Sequence, residues 1–141
     1  MFAQYDEYQR LLRYKNGCYA FYLINTLLFI NQLITYIGEI EWAQDSFIEY
    51  LVIIMIPIMF MNIRNTWQGS HFDRKEKPSV VNVLNLLLGL TYFWLALNRK
   101  QPLIEDGLVT LQVSQLLLGL VWISTPITYF IKYFRDSIVS E

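Results

Sequence analysis

Charged residues along this chain come in clusters, and the gaps between the clusters are long and apolar. No Asp, Glu, Lys or Arg occurs over 16–38, 78–98 or 107–131, runs of 23, 21 and 25 residues. A bilayer's hydrocarbon core is about 30 Å thick and takes roughly 20 helical residues to cross, so each run is long enough for one span. A fourth run, 50–63, has 14 residues, nearly all Ile, Val, Met, Leu and Phe, and reaches 17 when the helix starts at Phe47 and carries Glu49 in its first turn. The pattern predicts membrane helices over 17–37, 47–63, 80–98 and 108–131.

A water-exposed four-helix bundle would instead need a polar stripe at a period near 3.6 on every helix. The four runs have none. Leu27, Leu28, Phe29 and Ile30 in the first, and Leu86, Leu87, Leu88, Leu90 and Thr91 in the third, point all round their helices. Helices apolar on every side belong in lipid or at the centre of a much larger protein, and 141 residues cannot enclose four such centres. The expected fold class is all-α: a polytopic membrane protein with four transmembrane helices in an antiparallel bundle, one membrane domain over 1–141. The lipid bilayer is then its first partner.

The ends of the spans add detail. Residues 5–14 predict a short amphipathic N-terminal helix at the membrane surface, with Tyr5, Tyr8, Leu11 and Leu12 toward lipid and Asp6, Glu7, Arg10 and Arg13 toward water. The first apolar run is longer than the 7–15 residues of a signal-peptide core and no A-x-A site follows it, so it is expected to stay as a span. Ser46 and Glu49 form S-x-x-E ahead of an apolar run, a capping box that starts the second span at Ser46. Tyr and Phe gather near the span ends as interfacial anchors, and Pro57 and Pro126 are expected to bend the second and fourth spans.

Composition narrows the chemistry. The chain is 55% hydrophobic and 16% charged, with 11 basic and 12 acidic residues, so it lacks the excess positive charge that nucleic-acid binding needs. One cysteine, Cys18, and one histidine, His71, exclude an internal disulfide and a multi-histidine or thiolate metal site. No cofactor is expected. Nor is there a G-x-S-x-G, a P-loop or a pair of mid-membrane carboxylates, so no enzyme is expected either.

The basic residues set an orientation. Arg10, Arg13, Lys15, Arg64, Arg74, Lys75, Lys77, Lys132 and Arg135 fall on one side of the four-span arrangement and only Arg99 and Lys100 on the other. The positive-inside bias then places both termini, the loop 64–79 and the tail 132–141 in the cytoplasm of a multi-pass plasma (inner) membrane protein.

Polar residues inside the spans are the candidate working groups. Asn25 and Gln32 lie two turns apart on the first helix. Asn82, Asn85 and Gly89 share a sector of the third, and Gln112, Gln115 and Gly119 share one of the fourth. Amides hydrogen-bond across helices in lipid and glycines let backbones approach, so these are expected helix-packing or partner faces. N-L-L-L-G-L at 85–90 and Q-L-L-L-G-L at 115–120 read as a Leu-rich coincidence rather than a duplication. Glu49, the one carboxylate near a span, is either a helix cap or the exchanging group of a carrier. In the loop, Trp67, His71, Asp73 and Arg74 form a candidate docking surface.

The opening Asp6-Glu7-Tyr8-Gln9-Arg10, followed by Arg13, Lys15, Gly17 and an aromatic-rich span, resembles the start of small uncharacterised multi-helix membrane proteins of Gram-positive bacteria, which often begin D-E-R and K-A-G before a hydrophobic helix. The resemblance implies a bacterial plasma-membrane protein and transfers no functional residue. The expected function is that of a non-catalytic accessory, regulatory or immunity-type subunit that binds another membrane protein or itself. The alternative is a small oligomeric transporter or channel for a polar solute that depends on Glu49 or on Asn25 and Gln32.

Overall fold

Asp6 begins the first helix. Its carboxylate accepts from the Gln9 backbone N–H at 2.7 Å, and the Gln9 side chain accepts from the Asp6 N–H at 3.2 Å, so a reciprocal pair satisfies two helix-start donors. From there α1 runs unbroken over Glu7–Gln32 and widens into a π-helical turn, Leu33–Ile37. Residues 5–14 are thus no separate surface helix: the capping box at Asp6 starts one helix that runs on through Asn16-Gly17 without a break. The computed structural model describes residues 5–73, 75–99 and 101–139.

Helix α2 covers Ser46–Trp67. Its N-cap is Asp45, whose Oδ1 accepts from Ile48 N–H at 2.8 Å, and not Ser46. An ionised carboxylate at the positive end of the helix dipole out-competes a hydroxyl one residue later, and this leaves the Glu49 side chain for a tertiary contact. The helix ends in a Schellman turn: Gly69 N–H donates to Thr66 O at 3.1 Å and Ser70 N–H to Asn65 O at 2.8 Å, with Gly69 at φ +77°, a conformation that suits glycine. Helix α3 covers Pro78–Asn98, with proline in its first turn, where no donor is lost. A two-stranded hairpin follows, β1 Ile104–Glu105 and β2 Leu108–Val109. Its turn is Asp106-Gly107, with φ of 51° and 83°, the positive pair of a type I′ turn. Helix α4, Leu111–Val139, starts three residues after the expected 108 because that hairpin intervenes, and it continues through most of the expected tail.

The chain is an all-α polytopic membrane protein: four helices long and apolar enough to cross a bilayer pack against one another. Among the described residues the main contacts are α1 with α2, α2 with α4, and α4 with α3. The bundle is thus an open row of two antiparallel hairpins, with α2 and α4 inside and α1 and α3 at the edges. Asn16 meets Asn65 and Asn31 meets Glu49, so α1 and α2 run oppositely. Thr66 and Tyr129 line one cavity and Ala43 bridges Val109, so α2 and α4 run the same way.

Each seam follows its sequence. On α3 the buried residues are Asn82, Gly89 and Ala96, seven apart, as one narrow stripe against α4 requires. At the crossing a Cβ on Gly89 would sit 2.3 Å from Ile123 Cγ1 and 3.0 Å from Gly119 O, and a Cβ on Gly119 would sit 3.2 Å from Gly89 O. The backbones touch because neither residue has a side chain. Ser114, Val121, Thr125 and Thr128 are also buried on α4, small side chains that let a helix be packed on two sides. Pro57 and Pro126 lie inside α2 and α4. Beside Pro126 the Ser124 and Thr128 hydroxyls donate to Val121 O and Ser124 O, both at 2.7 Å, keeping carbonyls occupied around the lost donor.

Candidate functional site

The two ends of the row differ in charge and in construction. At the basic end, where α1 starts and α2 and α4 finish, one face of α1 holds the loop after α2. Tyr5, Gln9, Arg13 and Asn16 recur at helical spacing and all reach the same segment. Gln9 Nε2 donates to Gly69 O at 3.0 Å, and Arg13 Nη1 donates to Ser70 O and His71 O at 3.1 Å each. The Tyr5 hydroxyl reaches His71 O at 3.4 Å and its ring lies 4.3 Å under the Arg13 guanidinium. Beneath this clamp Asn16, fully buried, donates from Nδ2 to Asn65 Oδ1 and Gln68 Oε1 at 2.8 Å each. Ser70, also fully buried, donates from Oγ toward Asn65 O and Oδ1 at 3.3 Å.

This is where the residues of the expected docking loop fall. Arg74 lies outside the described residues. His71 is half-buried with its ring edge-on to Phe72. Burial, and secondarily the Arg13 charge, lower its pKa from the usual 6.5, against a smaller opposite pull from Glu76. Trp67 is exposed, and the Arg135 guanidinium stands 4.4 Å over its ring. Asp73 opens a tight turn in which its backbone N–H donates to Glu76 Oε2 at 3.0 Å and its carbonyl accepts from Glu76 N–H at 3.1 Å. Arg13 was expected to face water; its Nη1 holds two backbone carbonyls instead, one from each of two adjacent residues.

At the acidic end the polar centre is Asn31. This buried side chain donates to Glu49 Oε2 at 3.1 Å and accepts from Trp42 Nε1 at 2.7 Å. Glu49 is therefore tied to α1 and does not close a capping box with Ser46. The loop 38–45 joins the hairpin through Val109 N–H to Trp42 O at 2.8 Å and Gln44 N–H to Val109 O at 3.0 Å. Thr110, fully buried, donates to Pro102 O at 2.7 Å.

The expected helix faces separate into two groups. Gln112 Nε2 donates to Ala96 O at 2.7 Å. Asn82 is buried on the same seam, with neither amide atom hydrogen-bonded among the described residues, and Gln115 Oε1 is in the same state. Asn85 is half-buried. Asn25 and Gln32 do not hold the bundle together: both are exposed, and among the described residues Asn25 donates to its own helix, at Phe21 O. Among the described residues the asparagines that hydrogen-bond α1 to α2 are Asn16 and Asn31.

Asn16, Asn31, Asn65 and Ser70 escaped sequence reasoning because the contacts that join Asn16 to Asn65 and Asn31 to Glu49 span 49 and 18 positions. The spacing of Gln9, Arg13 and Asn16 was the available signal, a polar stripe on a helix taken to end at 14. Among the described residues no three His, Cys, Asp or Glu side chains gather to hold a metal ion. The chain matches no protein-family model, no curated protein and no solved structure.

Proposed function

We propose that this protein is a non-catalytic subunit of the plasma membrane that works by binding another membrane protein through the open side of α1. One observation carries the reading. Asn25 is exposed within the apolar part of α1 and Gln32 at its last residue, on a helix at the edge of the row, and a side-chain amide in lipid is stabilised by about 0.6–2 kcal/mol when it pairs across a helix contact. A helix facing lipid alone has no use for two amides on one side. The basic end is assigned to the cytoplasm, since Arg10, Arg13, Lys15, Arg64, Lys75, Lys77, Lys132 and Arg135 lie there and Arg99 at the other end.

A carrier reading has Glu49 as its best residue, but Glu49 sits in the first turn of α2 with its carboxylate held by Asn31, a construction that suits a fixed joint better than an exchanging site. The test is photocrosslinking in intact cells from Phe29, exposed on α1, and from Leu97, exposed on α3. An adduct of one defined mass from Phe29, lost with Asn25→Leu/Gln32→Leu and absent from Leu97, is the expected result. Equal or absent crosslinking from both positions would overturn the reading.

A further inference from the structure

The clamp at the basic end has a second product. By fixing the turn after α2 it walls off a cavity of about 210 Å³ against the last turns of α4. Three aromatic side chains, Phe72, Tyr129 and Tyr133, form most of the wall, with Phe72 edge-on to Tyr129 at 5.6 Å between ring centroids. Thr66 and Lys132 are among the polar residues that line the cavity. Thr66 is 2% exposed and its hydroxyl has no hydrogen-bond partner among the described residues. A buried hydroxyl left unpaired costs about 1–3 kcal/mol, so a donor held there is a group waiting for an acceptor. The second is Lys132. Its Nζ would lie 3.3 Å from a Cβ on Gly69, and it makes no ion pair or hydrogen bond among the described residues. Asp136 also lines the cavity, but its Oδ1 accepts two hydrogen bonds from Arg135, of 2.6 and 2.9 Å, and among the described residues no carboxylate pairs with Lys132.

We propose that this cavity binds the phosphate of an anionic phospholipid headgroup, with Lys132 as the counter-charge and the Thr66 hydroxyl as the buried donor. Depth selects the lipid over a soluble anion. Lys132 is the first charged residue after the apolar stretch 107–131, so its ammonium marks the level at which hydrocarbon gives way to headgroups. Tyr129, Phe130, Tyr133 and Phe134 form the aromatic belt of that level. A phosphodiester there meets a cation and a hydroxyl while its glycerol and upper acyl carbons lie on aromatic faces, the arrangement by which basic pockets between membrane helices hold anionic headgroups. The proposal is independent of any partner on α1.

The test is native mass spectrometry of the full chain in detergent, titrated with phosphatidylglycerol or phosphatidylcholine. The expected result is one phosphatidylglycerol retained per chain, bound about tenfold more tightly than phosphatidylcholine, a difference of about 1.4 kcal/mol that comes not from the phosphate, which both lipids carry, but from the choline ammonium, which Lys132 repels. Lys132→Gln removes that preference, Thr66→Val weakens it, and Lys132→Arg retains it. Lys77→Gln, at the same end but outside the cavity, leaves it unchanged. Equal retention of the two lipids by the unmodified chain overturns the proposal even where a variant fails to fold. So does an equal effect of Lys77→Gln, which would mean a diffuse basic surface. Full displacement of the lipid by millimolar inorganic phosphate would assign the site to a soluble anion and overturn the lipid source.

Discussion

Replacing Gly89 by alanine tests the closest helix contact in the protein. The new Cβ would lie 2.3 and 2.9 Å from Ile123 Cγ1 and Cδ1 and 3.0 Å from Gly119 O, well inside ordinary carbon contact distances. The Ile123 side chain must leave its rotamer, and the Gly119 carbonyl belongs to backbone that cannot follow it. Overpacking of this kind costs about 1–3 kcal/mol. Alanine's advantage over glycine in a helix returns up to about 1 kcal/mol, so the net effect is a destabilisation of about 1–2 kcal/mol. At Gly119 the same change meets Gly89 O at 3.2 Å and the Phe93 ring at 3.3 Å. That milder crowding roughly cancels the propensity gain, and Gly119→Ala should be within about 0.5 kcal/mol of neutral. Reversible unfolding in micelles or bicelles, followed by helix signal or steric trapping, measures both. The double variant Gly89→Ala/Ile123→Ala should be more stable than the sum of its single variants by at least about 1 kcal/mol, because removing the isoleucine removes the clash. Strict additivity, or a Gly89→Ala protein as stable as the parent, would refute the contact.

Other outcomes follow from the two ends. Asp45→Ala should cost about 0.5–2 kcal/mol in the same unfolding assay and Ser46→Ala close to nothing, since only Asp45 caps α2; the reverse order would return the cap to Ser46. Arg13→Gln should speed hydrogen exchange over residues 70–72, and Arg13→Lys should restore protection in part, because both carbonyls are held by one nitrogen, Nη1, and an ammonium also carries several donors. The lowered pKa of His71 means that the folded loop favours the neutral ring. Its contribution is therefore complete above about pH 6.5 and is lost as pH falls below 6.5 toward the folded pKa, where the loss levels off. Limited proteolysis of the loop should accelerate over that window and become flatter with His71→Asn; a loop better protected in acid would contradict the assignment.

The spans were legible because charge is excluded from them, and charge exclusion depends on composition alone. The order in which the helices pack was not, for the same reason: Leu27–Ile30 and Leu86–Leu88 look alike on every face, so periodicity gives no direction to a neighbour. Gly89 and Gly119 could be found because small residues stand out in a Leu-rich run. Asn16 and Asn65, 49 positions apart, could not be paired, since each reads alone as a polar residue at a span edge. The capping error at Ser46 came from a motif whose donor geometry Asp45 satisfies one residue earlier. The Asp106-Gly107 hairpin shows in the sequence only as its two turn residues, because strands of two residues are too short to carry an alternating pattern.

Because α2 is flanked by α1 on one side and α4 on the other, its two seams are completed at different moments of biosynthesis. α1 has already been synthesised when α2 emerges from the ribosome. The first residue of α4 comes 44 positions after the last of α2, a delay of roughly 2–9 s at about 5–20 residues per second. During that interval the flank carrying Met55 and Thr66 has only lipid or the insertion machinery against it, so a nascent chain paused between α3 and α4 presents a half-built molecule to quality control.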